Sequence, residues 1–96
     1  MRPKASQNTQ NASDIALLYM AYLASNDEML GQFCNLSGMD QRELTQRLVD
    51  PSFQAFLLDF LLQDESELLA FTADQGWKPE TIMIARSKLP GFVHDL

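Results

Sequence analysis

The chain contains one cysteine and one histidine, which are its only candidates for a Cys-His nucleophilic pair. Such a pair needs a thiol within hydrogen-bond reach of the imidazole that takes its proton. Cys34 follows Phe33 late in an amphipathic stretch, where thiols are usually buried and inert, and His94 lies close to the C-terminus. The sequence also has no Gly-x-Ser-x-Gly turn and no phosphate-binding glycine loop. We therefore predict no catalytic residues and no enzymatic activity.

The densest acidic cluster, Asp64, Glu65 and Glu67, raises the question of a metal site, because carboxylates suit magnesium and calcium. Its spacing argues against one. Adjacent positions on a helix point about 100 degrees apart, and a calcium loop alternates its ligands around a central glycine that is missing here. The cluster is typical of a cap and an acidic first turn, so we predict no metal and no cofactor.

Length and charge restrict the class of protein. Ninety-six residues are enough for one small domain, and a net charge of −6 argues against nucleic acid as the main partner. One cysteine allows no internal disulfide, and the N-terminal residues lack the apolar region of a secretory signal, so we expect a cytoplasmic protein. The longest apolar run, residues 15–24, is half the roughly twenty residues that span a bilayer, and we expect no membrane partner.

Apolar residues recur at helical spacing from Ser13 onward, and no stretch alternates with the period of a strand. The fold is therefore predicted to be all-α, a compact bundle of about six short helices. Ser13 is the expected first N-cap, ahead of a helix over about residues 14–25. The predicted organisation is a flexible polar arm over residues 1–12, one helical domain over residues 13–90 and a C-terminal tail over residues 91–96.

The breaks between helices are marked by caps and terminators. Asn26 and Asp64 are predicted N-caps, Asp40 with Glu43 has the spacing of a capping box, and Asp50 precedes a proline. The helix after Asp50 should be central and most buried. Its expected apolar positions are Phe53, Phe56, Leu57, Phe60 and Leu61, widened by Leu58 and Leu62. Glycines are predicted to end two helices, at Gly38 and Gly76, and a sixth helix opening at Pro79 and Glu80 should carry Ile82, Met83, Ile84 and Leu89.

A shift of 38 residues aligns the chain with itself. The pattern is an aromatic residue, leucine, a cap, an acidic residue, leucine, phenylalanine and glycine. The matched pairs include Tyr22 with Phe60, Asn26 with Asp64, Leu30 with Leu68, Phe33 with Phe71, Gly38 with Gly76 and Met39 with Trp77. We predict two pseudo-repeated three-helix halves that pack on each other. The alternative is that amphipathic helices joined by similar turns align by chance.

Two residues stand out from this pattern. Asp59 interrupts a nearly continuous apolar run, and it either occupies a solvent-facing strip, pairs with Arg47 or Arg86, or presents a polar spot to a partner. Trp77 follows a helix-ending glycine, where a large apolar side chain usually packs back on the helix. An interface anchor is the alternative for Trp77.

The stretch from Asp50 to Phe53, then Leu58 to Glu65, then Leu68 to Phe71, resembles the centre of a family of small bacterial proteins catalogued only as a domain of unknown function. The likeness covers about residues 15–89. It implies a compact helical cytoplasmic protein, with no activity or site attached.

Two functions remain open. The first is a non-enzymatic protein–protein interaction or adaptor module, favoured by the acidic charge and by the lack of catalytic groups. Its partner surface is predicted on the exposed side of residues 59–67, with charges at Glu65 and Glu67 that contribute little to stability. The candidate residues are Asp59, Asp64, Glu65, Glu67 and Trp77. The alternative is a small-molecule-binding protein with an apolar site between the two helical halves.

Overall fold

The computed structural model of the chain describes residues 11–91, which form six α-helices and no strand. The helices are α1 (Ala12–Ala24), α2 (Asp27–Ser37), α3 (Gln41–Arg47), α4 (Pro51–Leu62), α5 (Glu65–Gln75) and α6 (Glu80–Ser87). The predicted all-α class is confirmed. The predicted arm lies outside the described residues except for Asn11 and Ala12, and the predicted tail lies outside them except for Gly91.

The first helix starts earlier than predicted. Asn11, in an extended backbone conformation, is its N-cap, and the Asn11 side chain accepts a hydrogen bond from the Asp14 backbone N–H at 2.8 Å. The prediction of Ser13 as the cap is wrong, because Asn11 supplies an equally good cap oxygen two residues earlier. Ser13 therefore lies in the first turn of α1, which begins at Ala12.

The predicted starts of α2 to α5 are confirmed. Each cap side chain accepts a hydrogen bond from a backbone N–H in the first turn of its helix, and the four caps are Asn26, Asp40, Asp50 and Asp64. α3 begins with the full capping box, in which Asp40 and Glu43 exchange hydrogen bonds of 2.9 and 3.0 Å. Gly38 and Gly76 end α2 and α5 with φ of +75° and +76°, a left-handed conformation that glycine adopts without strain.

The core lies between α1 and α4, which pack on each other. α1 also packs on α2 and α6, and α4 on α5 and α6, so these two helices hold the other elements in place. The predicted central position of α4 is confirmed. Its buried stripe is rotated from the predicted one, because Leu58 is fully buried while Phe56 and Phe60 are half-buried on the side towards α2.

A buried glutamine, which the apolar pattern does not reveal, ties three helices together. The Gln54 side chain is buried in α4 and donates hydrogen bonds to the Ser13 hydroxyl at 2.9 Å and to the Leu48 carbonyl at 2.7 Å. The amide therefore has partners in α1 and at the end of α3. A buried amide without such partners would destabilise the fold, so Gln54 fixes where α4 starts relative to both neighbours.

Some residue pairs related by the 38-residue shift have matching environments, and others do not. Phe33 and Phe71, which the 38-residue shift relates, are both fully buried. Phe33 contacts Phe60 at 4.9 Å and Phe71 contacts Tyr22 at 5.1 Å between ring centroids, and the same shift carries Tyr22 to Phe60. Leu30 is buried whereas its counterpart Leu68 is only half-buried. The repeat of whole three-helix halves stays a prediction.

Candidate functional site

Four aromatic side chains from α1, α5 and the segment after α5 contact one another, and we call this group the tyrosine layer. Its members are Tyr19, Tyr22, Phe71 and Trp77. The Phe71 ring lies at the centre and meets the other three edge-on. Its centroid is 5.1 Å from those of Tyr19 and Tyr22 and 5.7 Å from that of Trp77. Tyr19 and Phe71 are fully buried, whereas Tyr22 and Trp77 are half-buried. The layer therefore extends from the core to the surface.

Local backbone geometry places these rings. Tyr19 and Tyr22 are three residues apart in α1, a spacing that puts both on one side of the helix. Trp77 follows Gly76, whose left-handed conformation turns the chain back so that the Trp77 backbone N–H donates to the Thr72 carbonyl at 2.8 Å. The indole then packs on Phe71, as expected for a large residue after a helix-ending glycine.

A carboxylate of α5 is held against this layer. The Tyr19 hydroxyl donates to Glu67 Oε2 at 3.2 Å. Burial raises the pKa of Tyr19 far above its ordinary value, and the nearby Glu67 carboxylate raises it further, so the hydroxyl stays a neutral donor. Burial also raises the pKa of Glu67, an effect that the Tyr19 hydrogen bond opposes and the neighbouring Asp64 carboxylate reinforces.

Two carboxylates act on the half-buried tyrosine. Burial raises the pKa of Tyr22 above its ordinary value, and the negative charges of Glu67 and Asp74 raise it further. Glu67 and Asp74 are seven residues apart, which places both on the same side of α5. We name this surface the acidic–aromatic face, formed by Tyr22, Asp64, Glu67, Asp74 and Trp77. Carboxylates beside exposed aromatic rings attract a lysine or arginine side chain through charge-assisted hydrogen bonds and cation–π contact.

Asp59, one of the predicted site residues, pairs with a residue of α6. The Arg86 guanidinium of α6 donates to both Asp59 oxygens, from Nε at 2.7 Å and from Nη2 at 3.3 Å. The Arg86 side chain is only 9% exposed and that of Asp59 is 45% exposed. The predicted pairing with Arg86 is therefore present, whereas Arg47 instead lies 3.7 Å from Asp50. Asp59 balances a buried cation and joins α4 to α6.

The remaining predicted residues separate into two groups. Asp64 caps α5 and lies close enough to Tyr19 and Glu67 to affect the pKa of both. Glu65 is exposed, but it is two residues from Glu67 and points to another side of α5, since residues at this spacing do not share a face. The prediction that Glu67 is a freely exposed charge is wrong, because Tyr19 of α1 holds its carboxylate in a half-buried position.

Tyr22 and Asp74 were not predicted as site residues. The spacing of Tyr22 fits the apolar side of α1. Nothing in the sequence shows that the Tyr22 ring contacts Phe71 of α5 and stays half-buried at the surface. Asp74 lies near the end of α5, separated from the acidic cluster by Phe71. The seven-residue interval between Glu67 and Asp74 is the signal that links them, because it repeats the same helical face.

A second surface lies between the two predicted halves. Four rings form what we call the phenylalanine layer, in which Phe33 of α2 contacts three rings of α4. The distances between ring centroids are 6.0 Å to Phe53, 5.5 Å to Phe56 and 4.9 Å to Phe60. Beside it, an open groove of about 390 Å³ is lined by Leu36, Ser37, Met39, Arg47, Asp50, Ser52, Phe53 and Phe56. This groove is apolar on its α4 side and carries the Arg47–Asp50 ion pair at its edge.

Membrane-spanning helices and metal-binding groups are both absent from residues 11–91. No helix in that part of the chain is long and apolar enough to cross a membrane. No group of three or more potential metal-binding side chains occurs over the same residues. Cys34 is half-buried in α2, and His94, the other half of the only Cys-His pair, lies outside the described residues.

Comparison with known proteins gives one result. Residues 9–92 match the family described as a protein of unknown function, DUF3572. The chain belongs to this family. The match spans all six helices of the fold, including both aromatic layers. No curated protein and no solved structure matches the chain.

Proposed function

We propose that this DUF3572 member is a non-enzymatic protein-interaction module whose acidic–aromatic face receives a basic segment of another protein. The observation that carries the proposal is the position of Tyr22, half-buried on Phe71 with Glu67 and Asp74 close enough to raise its pKa. A cation placed there meets two carboxylates and an aromatic ring at once. The net charge of −6 steers a basic partner towards the protein.

The geometry of Glu67 supports this kind of recognition. Its carboxylate is already oriented by Tyr19 and partly removed from water, so less ordering and desolvation remain to be done when a cation arrives. Trp77 offers a half-buried indole packed edge-on against Phe71, and tryptophan is a common anchor in protein interfaces. A segment that combines lysine or arginine with apolar side chains matches both features.

Binding of a fluorescein-labelled amphipathic peptide of Lys, Leu and Ala, followed by fluorescence anisotropy, tests the proposal. Asp74→Lys should weaken binding about tenfold, because it replaces attraction by repulsion at the face. Glu65→Lys is the matched control, since it makes the same charge change on the same helix away from the face. This control should alter the affinity by less than about twofold.

Rising salt should weaken binding to the wild-type protein, because exposed charges are screened. A peptide with Glu in place of Lys should not bind. Equal losses in Asp74→Lys and Glu65→Lys would mean that net charge alone attracts the peptide, and the face would then be rejected.

A second candidate function rests on the groove beside the phenylalanine layer. Its volume of about 390 Å³ and its Phe53 and Phe56 walls suit a small apolar molecule between the two halves. Phe56→Asp should abolish the fluorescence of a bound apolar dye there, whereas Val49→Asp, at an exposed position outside the groove, should not. Unchanged dye binding in Phe56→Asp would remove this candidate.

A further inference from the structure

The outer side of α6 carries an apolar pair that the core does not use. Met83 and Ile84 were expected among the apolar positions of this helix, yet their exposed fractions are 48% and 54%. Ile82, Ala85 and Arg86 face the interior instead. Two adjacent large apolar side chains on one exposed face mark an interaction site more often than single ones do.

The charges at the two ends of this face are opposite. Glu80 lies in the first turn of α6 and Lys88 at its C-cap, both exposed. Positions 80, 84 and 88 follow at intervals of four residues, so they share one side of the helix, and Met83, three residues after Glu80, borders that side. Within residues 11–91, neither Glu80 nor Lys88 takes part in an ion pair.

We propose that the α6 face, formed by Glu80, Met83, Ile84 and Lys88, binds the same face of a second copy of the chain in an antiparallel arrangement. Ile84 is midway between Glu80 and Lys88, so a two-fold axis beside Ile84 sets Glu80 of each copy opposite Lys88 of the other. Met83 then packs next to the axis. An isologous contact of this kind needs one self-complementary patch, which these four residues provide.

Charge distribution favours this face for self-association. The exposed charges of residues 76–91 are Lys78 and Lys88 against Glu80, whereas the chain as a whole carries −6. Two copies therefore repel each other least when they approach through α6. The Ser87 hydroxyl also suits a contact, because it donates to the Ile84 carbonyl at 2.7 Å and is already satisfied without water.

The size of the face sets the strength of the dimer. An eight-residue helix is about 12 Å long, so the contact falls in the small interface class below about 1,200 Å². We expect a dissociation constant in the micromolar range or weaker. The protein is thus monomeric when dilute and increasingly dimeric as its concentration rises.

Sedimentation equilibrium over a concentration series tests the proposal. Ile84→Glu should leave only monomer, because it sets two carboxylates at the axis. Glu80→Lys alone and Lys88→Glu alone should each weaken the dimer about tenfold, since both symmetry-related pairs turn from attraction to repulsion. The double variant Glu80→Lys with Lys88→Glu should restore the wild-type constant within about threefold.

Val49→Glu is the control, because Val49 is 84% exposed at the end of α3 and lies outside the face. It should leave the dimer unchanged. Circular dichroism confirms that each variant is folded, as expected for substitutions at exposed positions. A wild-type protein that stays monomeric throughout the series, a dimer insensitive to Ile84→Glu, or a double variant no better than the single ones would overturn the proposal.

Discussion

The tyrosine layer and the phenylalanine layer are built on the same plan and differ in chemistry. Each has a fully buried phenylalanine at its centre, Phe71 in one and Phe33 in the other. In the phenylalanine layer every neighbouring ring is another phenylalanine, which adds apolar packing and no polar group. In the tyrosine layer the neighbours carry hydroxyl and indole groups, and Glu67 accepts a hydrogen bond from one of them.

This difference underlies the proposed division between a layer for folding and a layer for recognition. A layer made only of phenylalanine stabilises the packing of α2 on α4 through buried apolar area and edge-to-face contacts. Polar atoms beside a core destabilise it unless they are paired, as Glu67 is by Tyr19. The tyrosine layer keeps such atoms at its surface end, next to the half-buried Tyr22 and Trp77, where a partner can meet them.

The largest expected effect tests the shared plan. Phe33→Ala and Phe71→Ala should each destabilise the protein by about 3–5 kcal/mol, because both rings are fully buried and leave a cavity. Urea unfolding measures both free energies. A loss of stability in Phe71→Ala well below that in Phe33→Ala would show that the tyrosine layer is not a second packing centre, and the shared plan of the two layers would be rejected.

A smaller effect tests the polar part of the tyrosine layer. Tyr19→Phe should destabilise the protein by about 1–2 kcal/mol, because it leaves the half-buried Glu67 carboxylate without its donor. Tyr22→Phe is the matched control in the same helix, because no hydrogen bond within residues 11–91 involves the Tyr22 hydroxyl. This control should change the free energy of unfolding little. Equal losses in the two variants would assign the effect to general packing and not to the Tyr19–Glu67 hydrogen bond.

The smallest effect concerns pH. Burial raises the pKa of Glu67 in the folded state above its ordinary value of 4.5, so at pH values between the two the folded protein holds a proton that the unfolded chain releases. The resulting stabilisation is fully present at pH values below the ordinary pKa of 4.5, and it is lost as the pH rises through the raised pKa of the folded state. The wild-type melting temperature, measured relative to that of Glu67→Gln, should therefore increase as pH falls from neutral towards 4.5. A difference that is constant over this range would contradict the proposed environment of Glu67.

Sequence patterns predicted much of this fold because its helix boundaries are set locally. Asp40, Asp50 and Asp64 each bond to backbone groups within three residues, so their roles can be seen in short stretches of sequence. The rotation of the α4 stripe and the exposure of Met83 depend on which helices pack together. That information is not contained in the periodicity of a single helix.

The candidate site was only partly predictable for the same reason. Glu67 and Trp77 stand out by residue type, but the hydrogen bond from Tyr19 to Glu67 joins residues 48 positions apart. Likewise, the sequence offers both Arg47 and Arg86 to Asp59, and only the packing of α6 on α4 selects Arg86. Long-range choices of this kind decide which charges are available to a partner.

We propose that the tyrosine layer binds a partner while the phenylalanine layer serves folding. Chemical-shift mapping of the ¹⁵N-labelled protein with the basic amphipathic peptide tests it most directly. The largest shifts should occur at the Trp77 indole N–H, the only one in the chain, and at the amides of Tyr22 and Asp74, with little change at Leu36 and Phe56. Shifts concentrated at Leu36 and Phe56, or no saturable shift at Trp77, would contradict it.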